Sequence, residues 1–165
     1  MIKRIILLIL VVFSFKACTK DDICPEGEAT TANLVITFND IANPNVRKKV
    51  KVLSVLTTDM NPIAVQFFTE TDSIIVPLNT NSDTTKYVFV RSVISAKDTI
   101  TSFDELKFTY NRENGYVNRA CGFKTEFINL NAAYDSGNAG NWIEDINKNR
   151  DTVNDENSAH ITLLH

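Results

Sequence analysis

Hydrophobic and polar residues alternate along most of the chain after residue 33. In the run NLVITFN, the side chains of Leu34, Ile36 and Phe38 share one face, as in a strand with one buried side. Similar runs follow, separated by turn residues, and no stretch has the apolar stripe of an amphipathic helix. This pattern predicts an all-β protein, an antiparallel and immunoglobulin-like β-sandwich that occupies residues 33–165 as a single domain.

Two runs give more specific predictions about the sheets. The run KKVKVLSVLTT places Val50, Val52 and Leu56 on one predicted face, opposite to Lys49 and Lys51. The run TKYVFVRSVI is apolar on both faces, which is typical of a central strand. Because proline donates no hydrogen bond to a neighbouring strand, the proline of SIIVPL predicts a strand end or a sheet edge.

The segment DELKFTYNRENGYVNRACGFKTEF predicts a β-hairpin. Asn114 and Gly115 form the residue pair that favours a two-residue type I′ turn, since both central positions need positive φ. Pairing outward from that turn sets Phe108 opposite Cys121. Cys121 then shares the core-facing side of the hairpin with Phe123.

The first residues have the pattern of an export signal. Lys3 and Arg4 are followed by an apolar run of eleven residues, from Ile5 to Phe15, in which only Ser14 is polar. A membrane-spanning helix needs about 20 residues, whereas this length suits the hydrophobic region of a signal peptide. We therefore assign residues 1–17 to a signal peptide, with a buried core helix as the alternative.

The residues FKAC resemble the lipobox of bacterial lipoproteins, in which a small residue precedes the cysteine that is acylated and begins the mature chain. Ala17 and Cys18 match this pattern, whereas Lys16 replaces the usual small or apolar residue. Loose lipoboxes of this kind are familiar among lipoproteins of the Bacteroidota. Lipidation of Cys18, with palmitate as an acyl group, also explains an odd cysteine count in an exported protein. The alternative is an ordinary signal peptide and a spare thiol.

The other two cysteines, Cys24 and Cys121, remain once Cys18 carries lipid. Two cysteines can pair, and an exported protein meets oxidising conditions that favour a disulfide. The predicted bond links the tether of residues 18–32 to the hairpin. Two separate buried thiols are the alternative.

The residues after the lipidated cysteine predict where in the cell envelope the protein is located. Lys20, Asp21 and Asp22 resemble the export tag that sends some Bacteroidota lipoproteins to the outer face of the outer membrane. A chance match in a polar linker, and thus a periplasm-facing protein, is the alternative.

Cleavage before Cys18 removes three of the 17 basic residues and none of the 20 acidic ones, which leaves 14 against 20 and a net charge of −6. Attachment to the membrane then depends on lipid rather than on charge.

Residues that carry chemistry are sparse. No basic patch stands out, which argues against nucleic acid as a partner. Of the two histidines, His160 is out of phase with Ala159 and Ile161 and is predicted to face solvent, and His165 ends the sequence. Neither lies beside a plausible nucleophile in the sequence, so we predict neither an enzyme nor a bound cofactor.

One run matches a calcium loop in part. Oxygen-bearing side chains fill positions 1, 3, 5, 7 and 12 of an EF-hand loop, at Asp145, Asn147, Asn149, Asp151 and Glu156. Position 6, which requires glycine for the tight turn, is Arg150, and no helix is predicted on either side. A solvated loop within a C-terminal hairpin is the favoured interpretation, and no metal site is predicted.

Three motifs, DDICPEG, RACGF after ENGYV, and the closing NWI with ENSAHI, resemble a family of small uncharacterised Bacteroidota lipoproteins, a domain of unknown function. The resemblance implies that both cysteines belong together and that an outer-membrane β-barrel protein is a possible partner. Two hypotheses follow. The first is a non-catalytic, lipid-anchored accessory or binding module for an outer-membrane component. The second is a surface ligand- or glycan-binding domain with Trp142, Tyr134 and Tyr116 as a stacking platform, unless these rings pack in the core.

Overall fold

A computed structural model describes residues 23–27, 30–94, 98–135 and 140–165. The predicted signal peptide (residues 1–17), Cys18 and the predicted export tag Lys20, Asp21 and Asp22 lie outside these ranges. In the described part of the chain there is no helix with the length and apolar character needed to cross a membrane.

The described chain is all-β and forms two five-stranded sheets, which confirms the predicted β-sandwich. Sheet A contains β1 (Leu34–Asp40), β2 (Asn43–Arg47), β5 (Ser73–Val76), β9 (Asp145–Lys148) and β10 (Ile161–Leu164). Sheet B contains β3 (Val50–Thr57), β4 (Ala64–Thr71), β6 (Thr84–Ile94), β7 (Thr99–Asn118) and β8 (Gly122–Tyr134).

The strand order of each sheet follows from the hydrogen-bonded pairs. Sheet B has the order β4-β3-β6-β7-β8, so the run TKYVFVRSVI forms the central strand that the sequence predicts. Sheet A has the order β2-β1-β10-β9, and β5 also pairs with β1. Most pairs are antiparallel, but β1 and β10 run parallel, with Ile36 opposite Ile161 and Phe38 opposite Leu163.

A continuous hydrophobic core takes side chains from both sheets. Leu34, Ile36 and Phe38 of β1 are fully buried, as their alternation predicts. Phe89 of β6 and Phe108 of β7 enter the same core from sheet B. Full burial of one such side chain contributes about 1.5–3 kcal/mol, so these residues account for much of the drive to fold.

The alternation predicted for β3 is wrong beyond its first residue. Val50 is buried, but Leu53 and Val55 occupy the core, and Leu56 turns to the opposite face. The cause is Val52, whose φ of 48° is rare for a β-branched residue. This backbone conformation exchanges the two faces of the strand.

The sequence also predicts the hairpin turn at the wrong position. β7 continues through Asn114 and Gly115, and Gly115 does not have positive φ. The chain turns at residues 119–121 instead, and Gly122 adopts the left-handed conformation with a φ of 72°. The side-chain oxygen of Asn118 accepts hydrogen bonds from the backbone N–H groups of the next turn residues, at 2.9 Å from Ala120 and 2.7 Å from Cys121. This Asx turn competes successfully with the Asn-Gly pair.

The displaced turn changes which side chains face the core. Phe127 is fully buried, but Phe123 is 71% exposed, contrary to the prediction. Cys121 lies half-buried in the turn itself rather than on the core side of a strand.

The chain divides into two compact units. Among the described residues, unit 1 comprises 23–27, Thr30 and Gly115–Lys124, and unit 2 comprises Thr31–Asn114 and Thr125–His165. All strands of sheet A belong to unit 2.

His160 is fully buried, so the prediction that it faces solvent is wrong. The residue directly precedes β10, which lies between β1 and β9 and is buried along its whole length, Ile161–Leu164. A strand that is buried on both faces does not show the alternation on which the prediction is based. Its backbone N–H donates to the carbonyl of Val35 at 2.9 Å, and its Nδ1 accepts the Val35 N–H at 3.0 Å. The neutral ring therefore carries its proton on Nε2.

The two buried histidines predict acid sensitivity. Burial lowers the pKa of His160 and of His165 from 6.5, and the Arg150 cation adds to the effect at His160. The unfolded chain then binds these protons at higher pH than the folded chain does, so stability falls as the pH drops below about 6.5. Urea unfolding at neutral and mildly acidic pH measures this loss, and His160→Gln is expected to reduce it. A loss of the same size in His160→Gln and in the wild type would contradict the assignment to His160.

Candidate functional site

The outer face of sheet B carries a cross-strand row of four side chains, three of which are apolar. Strand register places Phe67 of β4 beside Ser54, Ser54 beside Val90, and Val90 beside Phe103 of β7. Phe67 is 61% exposed and Phe103 is 65% exposed. The residues that alternate with this row along β6 and β7, such as Phe89 and Asp104, are buried. The row therefore lies on the side of the sheet opposite to the core.

Two more side chains widen this surface. Leu56 of β3 lies opposite Val88 of β6, and both are half-buried on the same outer side. We call the five apolar residues of this surface the apolar outer face: Leu56, Phe67, Val88, Val90 and Phe103. The positive φ of Val52 contributes directly, because it turns Leu56 outward.

Charged and hydroxyl side chains border the apolar outer face. Lys86 and Glu105 form an ion pair at 2.8 Å across β6 and β7. At the other end of these strands, the Ser92 and Thr101 hydroxyls are 3.3 Å apart and share a hydrogen bond. An apolar centre with a polar rim is the usual anatomy of a protein interface.

A groove of about 510 Å³ continues from the apolar outer face. Val88 and Phe103 form its apolar side, and its remaining lining residues are Asp104, Glu105, Lys107, Ala133, Tyr134, Asp135 and Asn141. Tyr134 is held in place by a hydrogen bond from its hydroxyl to the carbonyl of Glu144. The groove thus combines an exposed phenylalanine with several polar groups.

Asp104 holds the backbone of the two residues that follow Asn141 of this groove. One carboxylate oxygen accepts the backbone N–H groups of Trp142 at 2.9 Å and Ile143 at 3.1 Å. Burial raises the pKa of Asp104, and the two backbone hydrogen bonds and the Arg91 cation oppose this rise. We assign Asp104 a structural role, because both donors belong to the backbone of a neighbouring segment.

Trp142 is not part of an exposed aromatic platform. It is only 3% exposed, its indole N–H donates to the carbonyl of Phe89 at 3.0 Å, and its ring packs in the core with its centre 6.1 Å from that of the Phe38 ring. The Arg91 guanidinium lies 5.1 Å from the ring centre, within cation–π distance. Of the three predicted rings, Tyr134 is half-buried and Tyr116 alone is strongly exposed.

Unit 1 contains the disulfide that the sequence predicts. Cys24 and Cys121 are bonded, with their Cα atoms 4.7 Å apart. In the same unit, the rings of Tyr116 and Phe123 meet edge to face, with their centres 5.4 Å apart. Ile23, next to Cys24, is 80% exposed.

A family model described as "Family of unknown function (DUF6452)" matches residues 50–165. The chain belongs to this family. No curated protein and no solved structure matches the chain. The match begins at the first residue of β3, so the DUF6452 region contains Cys121 but neither Cys24 nor β1. Because β5 and β10 both pair with β1, the β-sandwich extends beyond the matched region.

The five residues of the weak calcium-loop candidate, all in the DUF6452 region, do not come together at one site. Asp145 and Asn147 lie on strand β9, where they pair with β10. Asn149 donates to the Thr162 hydroxyl at 2.8 Å, and Asp151 forms an ion pair with a neighbouring lysine. Glu156 accepts hydrogen bonds from the backbone and side chain of Asn33. Among the described residues, no group of three or more His, Cys, Asp or Glu side chains is arranged to hold a metal ion.

Sequence reasoning missed the apolar outer face of the DUF6452 region. A signal was present, because Phe103 is out of phase with Leu106 and Phe108 and therefore belongs to the other side of its strand. Similarly, the adjacent pair Phe67 and Phe68 must place one phenylalanine on each face of β4. Apolar residues on both faces predict either a covered sheet or an interaction surface.

Proposed function

We propose that this protein is a non-catalytic binding module of the cell envelope, and that the apolar outer face receives a protein partner. The observation that carries this proposal is the exposure of Phe67 and Phe103 at the two ends of one cross-strand row. Exposed apolar side chains that form a continuous surface with a polar rim mark interaction sites. Large aromatic side chains also supply much of the binding energy at protein interfaces.

The proposed address is the outer membrane, with Cys18 as the lipid anchor and the domain exposed at the cell surface. The lipobox-like FKAC sequence and the tag-like Lys20, Asp21 and Asp22 support this address. The bond between Cys24 and Cys121 supports it further, since disulfides persist in oxidising compartments. A lipid-anchored protein meets integral proteins of the same membrane, so the partner we propose is an outer-membrane β-barrel protein, as the family resemblance implies.

A glycan or small ligand is the second candidate. The groove beside Phe103 favours it, because an exposed ring and polar groups such as Lys107 together suit a sugar. The burial of Trp142 removes the main ring of the predicted platform, so this candidate is supported by less of the surface than a protein partner is. Glycan-array binding that depends on Phe103 but not on Phe67 would favour the ligand over the protein.

The double substitution Phe67→Ser with Phe103→Ser tests the proposed interface. Both side chains are mostly exposed, so folding stability is expected to change by less than about 1 kcal/mol. The partner recovered by cross-linked affinity purification from native envelopes is expected to fall by about tenfold or more, as at an interface hot spot. Val46→Ser on β2 of sheet A, half exposed, is the matched control and is expected to retain the partner. Equal recovery with all variants would exclude the apolar outer face as the binding surface.

A further inference from the structure

Unit 1 exposes large apolar side chains that its own fold does not cover. Ile23 is 80% exposed, Phe123 is 71% exposed and Tyr116 is 63% exposed. The rings of Tyr116 and Phe123 contact each other at an interplanar angle of 67°, so they form one apolar projection rather than a flat stacking platform. Two rings at this angle suit insertion into the apolar part of a lipid bilayer better than stacking on the flat face of a sugar ring.

The covalent chain limits how far this projection lies from the proposed lipid anchor. Six residue steps separate Cys18 from Cys24, and a fully extended chain covers at most about 3.6 Å per residue, or about 22 Å. The disulfide then places the Cα atom of Cys121 only 4.7 Å from that of Cys24. Phe123 is two residues further along the chain. The projection is therefore held within a few nanometres of the acyl chains by covalent bonds alone.

The two segments of unit 1 differ in charge. Gly115–Lys124 contains Arg119 and Lys124 and no acidic residue, whereas the sequence from Cys18 to Thr30 contains Lys20 and the acids Asp21, Asp22, Glu26 and Glu28. Basic residues beside exposed aromatic rings suit the interface of a bilayer, where cations meet lipid phosphates and amphipathic rings lie at the headgroup level.

We propose that unit 1 docks on the bilayer that holds the acyl chains of Cys18, with Ile23, Tyr116 and Phe123 inserted at the headgroup level. This inference rests on the lipid anchor of the proposed function. The disulfide makes the contact possible, because it joins the end of the tether to the segment that carries both rings.

Fluorescence quenching by brominated lipid tests the proposal. The purified, acylated full-length mature chain is reconstituted in vesicles of phosphatidylethanolamine and phosphatidylglycerol with bromine on their acyl chains. Phe123→Trp reports on unit 1, and Phe67→Trp, at a similarly exposed position in unit 2, is the matched control. Trp142 is present in both variants and its emission is subtracted with the wild-type protein. We expect the added tryptophan of Phe123→Trp to lose about half of its emission, since interfacial side chains insert about 5–10 Å. The added tryptophan of Phe67→Trp is expected to lose little.

The outcomes separate this proposal from the anchor on which it rests. Intact mass spectrometry first establishes acylation of Cys18. A chain without acyl groups overturns both the anchor and the docking, whereas an acylated chain with equal quenching in the two variants overturns the docking alone. Protection of Phe123→Trp from aqueous quenchers in native envelopes, without quenching in vesicles, also overturns it and assigns unit 1 to a protein contact.

Discussion

Asp104→Ala is expected to lower the free energy of unfolding by about 2–5 kcal/mol. The substitution removes the oxygen that accepts the backbone N–H groups of Trp142 and Ile143, and both groups are buried. A buried donor without an acceptor costs about 1–3 kcal/mol, so two such donors make this one of the most damaging single changes. The loss also releases the segment that places the Trp142 ring against Phe38 in the core.

Asp104→Asn is the matched control for this prediction. The asparagine carbonyl can accept the same two hydrogen bonds without a buried charge. Because burial raises the pKa of Asp104 above 3.8, its ionisation costs stability as the pH rises from 3.8 through the folded pKa, and asparagine has no such loss. At neutral pH we therefore expect Asp104→Asn to unfold within about 1 kcal/mol of the wild type.

Urea unfolding followed by the fluorescence of Trp142 measures both variants. If Asp104→Asn is as unstable as Asp104→Ala, the negative charge facing Arg91 is the important property rather than the acceptor, and our explanation is wrong. Near-ultraviolet circular dichroism checks that Trp142 keeps its packed environment in the asparagine variant.

The parts of the fold that the sequence predicts well are those in which one physical effect dominates. The apolar residues Leu34, Ile36 and Phe38 of β1 all enter the core as their alternation predicts, and Val35 and Thr37 on the other side of the strand are buried too. β6 is apolar on both faces and lies in the middle of sheet B. The two strands of the C-terminal hairpin, β9 and β10, also pair as predicted.

The errors occur where a local or long-range interaction overrides the pattern. Asn114 and Gly115 are a strong turn signal, but the side chain of Asn118 organises a turn four residues later. Val52 reverses the faces of β3 through its positive φ, which alternation cannot reveal. His160 is buried because β10 pairs with β1, a strand more than a hundred residues earlier in the chain. Such long-range pairs are invisible in a single sequence.

The candidate site depends on these same effects. Phe103 belongs to the outer side of β7 by its phase alone, but its neighbour Val90 and the place of Phe67 at the far end of the same row are known only from strand register. Leu56 reaches the apolar outer face only through the reversal at Val52. A sequence therefore shows that a second face is apolar, whereas the strand order shows which residues form one surface.

Replacement of both Cys24 and Cys121 by alanine is expected to lower the free energy of unfolding by about 2–4 kcal/mol. The bond spans a sequence separation of 97 residues, so its loss frees a long loop in the unfolded chain. The chain-entropy account gives about 4.7 kcal/mol for a loop of about a hundred residues, and measured values are usually smaller. Most of the strands of the β-sandwich lie within this loop.

Two further measurements make this prediction specific. Cys18→Ala removes a cysteine without touching the bond and is expected to leave the unfolding of the delipidated chain unchanged. Reduction of the wild type is expected to reproduce the double alanine variant. Hydrogen exchange is expected to accelerate first in the segment Gly115–Lys124, because the bond is the covalent link between this segment and residues 23–27. Unchanged stability in the double variant, with unchanged exchange in that segment, would show that the bond does not constrain the folded chain. Its role in holding unit 1 together would then be refuted.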